Sequence, residues 1–511
     1  MKAKKFFLGL ILLLALGLLW PGWGHADYLT ERWTFGELPN YQVWGAKGSP
    51  AVGDDGTIYF GAEDGYFWGV KPDGYPKKLE ILYNPFRNTP AIAPDGTIVI
   101  HNGPTIYFFH PVYYGMTTHA SVGVDFQGAP AVSKQGIVYI GSLGGKLHAF
   151  DAIWVTKVWE HAVDLPAGCT TARFSNPVID LHETIYCLYE ATAGPWDTGS
   201  QGSISRLYAI SPINEQEAVR EFNNRVNPDF SPAIGPDGTI YVAGNDRLYA
   251  LSPDDLSSKW ELALVGSPTG SPVIGEPFNP EEGYSILVPL DTGLIMAGPP
   301  SPGYVNGKIH WTFQPEPALV AATPAAGKGG MVYFTAYTYA VAQLHLITYA
   351  TSSDDETFLL DTVWLDGPSK SSPANVRIGD ENVVYVCENR SLSAWNNTVG
   401  GVIPGLARTS WPCDRGNLKR NGRVSLAFSA LFSVAQLKIK VDGLHLGQAV
   451  LSLGSKLDSA KLSLEKEDLI PARNKLNAFI NEVNALRGKK IDIEPAKSLI
   501  EKAQSIVSIL Q

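Results

Sequence analysis

Residues Ser231-Pro232-Ala233-Ile234-Gly235-Pro236-Asp237-Gly238-Thr239-Ile240-Tyr241-Val242-Ala243 decide the fold. A short apolar run enters, Asp237-Gly238 turns it, and Thr239 to Val242 run back. The dipeptide suits a two-residue hairpin whose central positions take positive φ, which glycine adopts freely and aspartate tolerates. Asp246-Arg247-Leu248-Tyr249-Ala250-Leu251 then alternates polar and apolar as a third strand does. Ser252-Pro253-Asp254-Asp255 breaks the run, and Lys259-Trp260-Glu261-Leu262 begins a fourth.

The opening Xaa-Pro-[Ala/Val] returns at Ser49-Pro50, Thr89-Pro90, Ala129-Pro130, Asn176-Pro177, Ser231-Pro232, Ser271-Pro272, Thr323-Pro324 and Ser372-Pro373. Successive starts lie about 40 to 55 residues apart, the length of one four-stranded propeller blade. The turn recurs as Asp55-Gly56 and Asp95-Gly96, with Gln135-Gly136 in the third unit. Proline lacks a backbone donor, which places it at the first residue of the strand nearest a central channel. The small residue after it lets strands from every blade crowd the axis. The spacing therefore predicts an all-β eight-bladed β-propeller of four-stranded antiparallel blades.

Tryptophan marks the fourth strand: Trp159, Trp260, Trp311 and Trp364 recur at one point of the repeat, where a large ring packs between adjacent blades. Arg32-Trp33-Thr34-Phe35 echoes His310-Trp311-Thr312-Phe313, yet Trp33 precedes the first blade, and the eighth, after Ala394-Trp395-Asn396, shows no fourth strand of its own. The segment around Trp33 is expected to supply that strand and close the ring, removing two open edges. The fourth blade carries an insertion from Ala191 to Ser203, and the sixth wanders through 275–284 and 297–306. Irregular loops on a rigid ring are where binding sits.

Lys2, Lys4 and Lys5 precede an apolar run from Phe6 to about Trp20, then Pro21-Gly22 and small residues before Ala26. This reads as a secretory signal peptide over residues 1–26, the alternative being an uncleaved anchor. The expected location is secreted, periplasmic or extracellular, with no membrane span after signal removal. Residues 425–511 hold 12 Lys/Arg against 9 Asp/Glu, which leaves residues 27–424 strongly acidic within a total of −10. Such a body repels nucleic acid. Cys169, Cys187, Cys387 and Cys413 allow a local bridge between the first two and a clip between the last two, or buried thiols.

Gly145-Lys146-Leu147-His148-Ala149-Phe150-Asp151-Ala152 with Lys157-Val158-Trp159 resembles the repeat of the pyrroloquinoline-quinone-like (PQQ-like) propeller superfamily. Trp411-Pro412-Cys413-Asp414-Arg415-Gly416-Asn417 is similar to a tail motif beside such propellers. The resemblance spans about residues 28–424 and implies fold rather than chemistry, since many members bind no quinone. Quinone dehydrogenases of the superfamily use a vicinal disulfide, a tryptophan floor and a calcium cluster with a catalytic aspartate. This sequence has no Cys-Cys pair, and no other ligand maps onto it, so no cofactor, metal or catalytic residue is assigned. His101, His110 and His119, nine residues apart, read as solvated or core residues. No His-Glu-x-x-His helix pair or Gly-x-Ser-x-Gly elbow marks a hydrolase.

Beyond Gly422 the texture becomes helical. Leu431, Val434, Ala435 and 437–439 suggest one helix, and Val450, Leu453, Leu457, Ala460 and Leu464 a second. Pro471 opens a third through Leu476, Phe479, Ile480 and Val483, with Gly488 as cap, and Asp492 and Pro495 start a fourth carrying Leu499, Ile500, Ala503 and Ile506. A small all-α bundle over residues 425–511 is predicted. Ser455-Lys456-Leu457-Asp458-Ser459-Ala460 and Leu476-Asn477-Ala478-Phe479-Ile480-Asn481-Glu482-Val483 resemble the FIMAH module of secreted bacterial proteins, which implies attachment to a surface, polymer or partner. The leading expectation is a non-enzymatic binding or scaffolding protein that meets a protein or glycan through its rim loops and helical module. A propeller enzyme acting on polysaccharide and a quinone-dependent dehydrogenase are the alternatives.

Overall fold

A computed structural model describes most of residues 29–397 and most of residues 430–510, with short breaks between strands. β1 (Leu29–Phe35) stands apart from the first sheet, which holds β2 (Ala51–Val52), β3 (Ile58–Gly61), β4 (Phe67–Val70) and β5 (Pro76–Lys77). The second holds β6 (Ala91–Ile92), β7 (Ile98–Asn102), β8 (Thr105–Phe109) and β9 (Thr117–Ser121), and the third β10 (Phe126–Val132), β11 (Ile137–Ser142), β12 (Lys146–Asp151) and β13 (Lys157–Ala162). The fourth holds β14 (Thr171–Ile179), β15 (Ile185–Thr192), β16 (Ile204–Ile210) and β17 (Glu217–Phe222), and the fifth β18 (Ala233–Ile234), β19 (Ile240–Ala243), β20 (Arg247–Leu251) and β21 (Ser258–Ala263). The sixth holds β22 (Val273–Gly275), β23 (Ser285–Leu290), β24 (Gly293–Gly298) and β25 (Lys308–Phe313). In the seventh the inner strand is split into β26 (Leu319–Val320) and β27 (Ala325–Ala326), both paired with β28 (Met331–Tyr337), followed by β29 (Ala342–Tyr349) and β30 (Thr357–Leu365). The eighth holds β31 (Ala374–Ile378), β32 (Glu381–Cys387) and β33 (Leu392–Asn397), with β1 along its outer edge. The protein is an eight-bladed β-propeller; each Xaa-Pro immediately precedes an inner-strand segment except in the third and fourth blades, where Ala129-Pro130 and Asn176-Pro177 lie inside β10 and β14 at a break in their register.

β1 runs antiparallel to β33 from Leu29 opposite Asn397 to Phe35 opposite Leu392. The leading segment thus completes the last blade. Inner strands of neighbouring blades touch around the axis, β2 with β6, β10 with both β6 and β14, and β22 with both β18 and β27. The apolar core lies between blades: one cluster joins Tyr186 of the fourth, Tyr241 of the fifth and Ile286 of the sixth.

The hairpin that identified the repeat differs in detail. Gly238 sits at φ +82°, but Asp237 is not among the positive-φ residues; Gly235 and Gly238 instead close a turn in which the Gly238 N–H donates to Gly235 O at 3.0 Å. Glycine alone takes the left-handed position, as in a type I turn followed by a bulge. The aspartate acts through its side chain: Oδ1 accepts from Thr239 N at 3.1 Å and Oδ2 from Thr239 Oγ1 at 2.8 Å. Asp55 and Asp95 hold Thr57 and Thr97 in the same way.

The tryptophans explain how blades lock. In β1, β13, β21 and β25 a single bulged residue, Arg32, Val158, Lys259 or His310, immediately precedes the indole. Trp33, Trp159 and Trp260 lie opposite Ala394, Ala149 and Ala250, and Trp311 opposite Met296. The bulge twists the strand, and a facing alanine leaves room for the ring. Trp33 reaches the first blade, where Nε1 donates to Pro72 O at 2.9 Å, while Trp260 and Trp311 are buried against the sixth and seventh blades. Trp364 departs from the expectation that it packs between blades, being 64% exposed. In β30 the residue after the bulge is Asp361, and Trp364 lies three positions further, where the pleat turns it to the opposite face.

The cysteines also depart from the local bridge. Cys169 and Cys187 are not joined to each other, and Cys187 Sγ donates to Ser175 O at 3.3 Å inside the fourth blade. Cys187 is held within β15 in the core of the fourth blade, where its sulfur faces the Ser175 carbonyl. Cys413 lies outside the described residues, as do residues 1–26, 411–417 and the junction at 424–425.

The C-terminal unit has four helices: α1 within 430–442, α2 (Gln448–Glu465), α3 (Leu469–Leu486) and α4 (Ile493–Ile509). Leu453, Leu457, Leu476, Phe479, Leu499 and Ala503 share one core. Gly488, at φ +70°, follows α3 and turns the chain toward α4. Asp492 occupies the N-cap position of α4, but its side chain makes no capping hydrogen bond. Among the described residues no helix is long and apolar enough to cross a membrane.

Candidate functional site

The Xaa-Pro starts do more than open strands. The residue before each proline lies at one mouth of the axis, and in several blades its side chain caps the backbone N–H of the preceding blade. Ser49 N donates to Thr89 Oγ1 at 3.1 Å, Ser231 N to Ser271 Oγ at 2.8 Å and Ser271 N to Thr323 Oγ1 at 2.8 Å. Ala129 N donates to Asn176 Oδ1 at 2.9 Å, and Ser372 N donates to Ser49 Oγ at 3.1 Å, across the closure. Asn176 takes φ +51°, a conformation asparagine tolerates, and its Nδ2 also donates to Asp229 O at 2.7 Å. Close approach demands glycine beside these links: a Cβ on Gly48 would fall 2.5 Å from Asn88 O, and one on Gly270 2.5 Å from Thr323 N.

This ring frames a funnel of about 630 Å³ to which all eight blades contribute. Its walls are built from the inner strands and the segments leading into them, among them Asn88, Gln127, Asn227, Phe230 and Thr269. Hydroxyl and amide groups dominate. The charged residues of the described lining are Arg87 and Asp229, and each is already paired, Arg87 Nε with Glu63 at 2.7 Å and Asp229 with Arg173 Nη1 at 2.8 Å. Behind the wall, Glu190 lies 5% exposed between Arg173 at 3.1 Å and Arg225 at 2.8 Å. This cluster ties the fourth blade to the connection entering the fifth.

Two buried histidines support one wall. His101 Nε2–H donates to Gly128 O at 2.6 Å, and Phe126 sits edge-on to both His101 and His148. Burial holds both imidazoles down at about pKa 4, so they are neutral at neutral pH. His148 Nε2 contacts Ser142 Oγ at 2.9 Å and its Nδ1 lies 3.1 Å from Glu160, an order reminiscent of a hydrolase triad. Ser142 is fully buried within β11 and Glu160 is also bound by Lys146 and Lys157, which hold its carboxyl down at about pKa 2, so the arrangement braces the third blade.

The blade tryptophans surround the funnel without lining it. The insertion of the fourth blade, with Trp196, falls largely outside the described residues. Sequence reasoning missed Asn88, Gln127 and Asn227, which lie one to four residues ahead of an Xaa-Pro, and took Asn176 only as a strand start.

A quinone held as in the superfamily's dehydrogenases needs an aromatic floor and a carboxylate cluster. The described funnel lining contains no tryptophan and one carboxylate, and among the described residues no group of His, Cys, Asp and Glu could hold a metal ion. The residues do not fit that cofactor.

No protein-family model matches the sequence, and no curated protein is similar to it in sequence. Solved structures share its architecture. BamB from Moraxella catarrhalis superposes with TM-score 0.51 at 12% identity, covering 72% of this chain and 99% of that one. The quinohemoprotein alcohol dehydrogenase from Comamonas testosteroni gives 0.51 at 13% identity over 75% and 78%, and the Dos1 propeller 0.51 at 9% over 75% and 98%. At these identities the likeness is one of fold. The chain has an eight-bladed β-propeller fold followed by a small helical unit.

Proposed function

We propose that the chain is a secreted, non-enzymatic binding or scaffolding propeller whose funnel face is its contact surface. The observation that carries this reading is the state of the funnel's charges. Asp229 is committed to Arg173 and Arg87 to Glu63, which leaves the described wall without a pair of carboxylates poised for acid–base work. The fold shared with BamB and the Dos1 propeller fits a binding ring. The basic, apolar start of the sequence supports export, and the FIMAH-like helices supply a second point of attachment.

The test uses the purified full chain. Incubated with the quinone, calcium and a panel of alcohols, it should show no bound chromophore and no dye reduction. Incubated with polysaccharides, it should release no new reducing ends or unsaturated products. Turnover in either assay overturns the reading in favour of a dehydrogenase or a polysaccharide-acting enzyme.

A further inference from the structure

We propose that the funnel mouth is a site for an uncharged saccharide chain. This rests on the binding reading above and names the ligand class for the same surface. Three features of the wall converge. The cavity, about 630 Å³, falls within the range of small-ligand sites, roughly 300–1,000 Å³. Its described charges, Arg87 and Asp229, are each paired with an opposite charge, Glu63 and Arg173, so the described wall carries no excess of either sign to favour an ionic ligand. The remaining polar groups are amides and hydroxyls that donate and accept at once, as sugar hydroxyls do.

Particular atoms stand open for this. Among the described residues the Asn88 amide makes no hydrogen bond to the protein. Asn227 uses Oδ1 to accept from Asp229 N at 3.0 Å, while its Nδ2 has no described partner. Gln127 donates Nε2 to Phe126 O at 3.0 Å and keeps Oε1. Half-buried Phe230 adds an aromatic surface in the same wall, suited to the apolar C–H face of a pyranose ring. A protein ligand would be expected to bring large apolar anchors, and the described lining offers only Phe230, Tyr337 and the small groups of Val320 and Ala322 to receive them.

Isothermal titration of the full chain with neutral hexasaccharides (xylo-, manno-, malto-, cello- and chito-series) and with oligogalacturonate tests the assignment. At least one neutral series should bind, with affinity unchanged between low and high salt. Asn88→Ala and Gln127→Ala should each weaken binding about tenfold, corresponding to one hydrogen bond of about 1.4 kcal/mol. Phe230→Ala should weaken it further, and Trp154→Ala, at an exposed turn between β12 and β13, should leave it unchanged. Melting temperatures of the Asn88 and Gln127 variants should match the parent, which separates lost contacts from lost folding. Binding of no neutral series, preference for oligogalacturonate with steep salt dependence, or wild-type affinity in all three funnel variants overturns the inference and leaves the binding reading to a protein partner. Cleavage of a bound neutral sugar overturns the non-enzymatic reading while keeping the saccharide site.

Discussion

The backbone N–H of Ser372 donates to Oγ of Ser49 at 3.1 Å, linking residues 323 apart in sequence. Both are buried, and each precedes the proline of its blade. The bond fastens the eighth blade to the first at the inner radius, while β1 fastens them at the outer. Ring closure therefore has two clasps, one a single hydrogen bond and one a whole strand.

Ser49→Ala removes the acceptor and leaves a buried N–H, which costs about 1–3 kcal/mol. Ser49→Thr keeps the oxygen. Equilibrium denaturation should show the alanine variant less stable and the threonine variant closer to wild type. Equal stability of wild type and Ser49→Ala would remove the inner clasp from the account.

Deleting residues 27–45 strips the outer strand from the last blade and exposes the edge of β33. The melting temperature should fall sharply and the protein should associate through the open edge, visible by light scattering. A truncated chain that melts with the parent would argue against closure by the leading segment.

Trp260→Ala empties an interblade site and should cost about 3–5 kcal/mol, while Trp364→Ala, at an exposed position, should stay within about 0.5 kcal/mol. Reversal of that order would mean that the bulge does not define the packing position.

Asn176→Ala deletes the acceptor for Ala129 N and the donor to Asp229 O. It also places alanine at φ +51°. A loss of about 2–4 kcal/mol follows from the unpaired buried groups and the strained backbone. Asn176→Gly restores the conformation but not the bonds and should recover only part of the loss.

His101 supplies the pH dependence. Its imidazole is held down at about pKa 4, first by burial, against the opposing pull of Gly128 O and Asp125. In the unfolded chain it titrates near 6.5. Between these values the unfolded state binds the extra proton, so stability is full above about pH 6.5 and falls as pH drops toward 4. The loss from this group by pH 4.5 is roughly 2–3 kcal/mol. His101→Gln, which can still donate to Gly128 O, should flatten the difference between pH 7 and pH 4.5 by about that amount in urea titrations. An unchanged slope would show that other groups carry it.

Much of this architecture was legible because each blade repeats one local solution. Proline at the strand start, Asp-Gly-Thr at the first turn and alternating residues in β20 are short-range demands, met within a dozen residues. The echo between Trp33 and Trp311 revealed the closing strand for the same reason. Trp364 misled because spacing alone does not register a bulge: the bulge in β30 comes at Leu360, so the indole three residues beyond Asp361 turns outward. The funnel groups stayed hidden because Asn88, Gln127 and Asn227 come from separate blades and carry no shared motif.

Composition and periodicity by themselves determined the number of blades, the strap that joins the ends and the helical character of the C-terminal residues, since these follow from backbone geometry and the burial of regularly spaced apolar side chains. Only the tertiary structure decided which polar groups meet at the axis and which charges are already paired there. Those depend on closing eight sheets into one ring, which brings Arg173 to Asp229 and Ser49 to Ser372 across distances that no local pattern encodes.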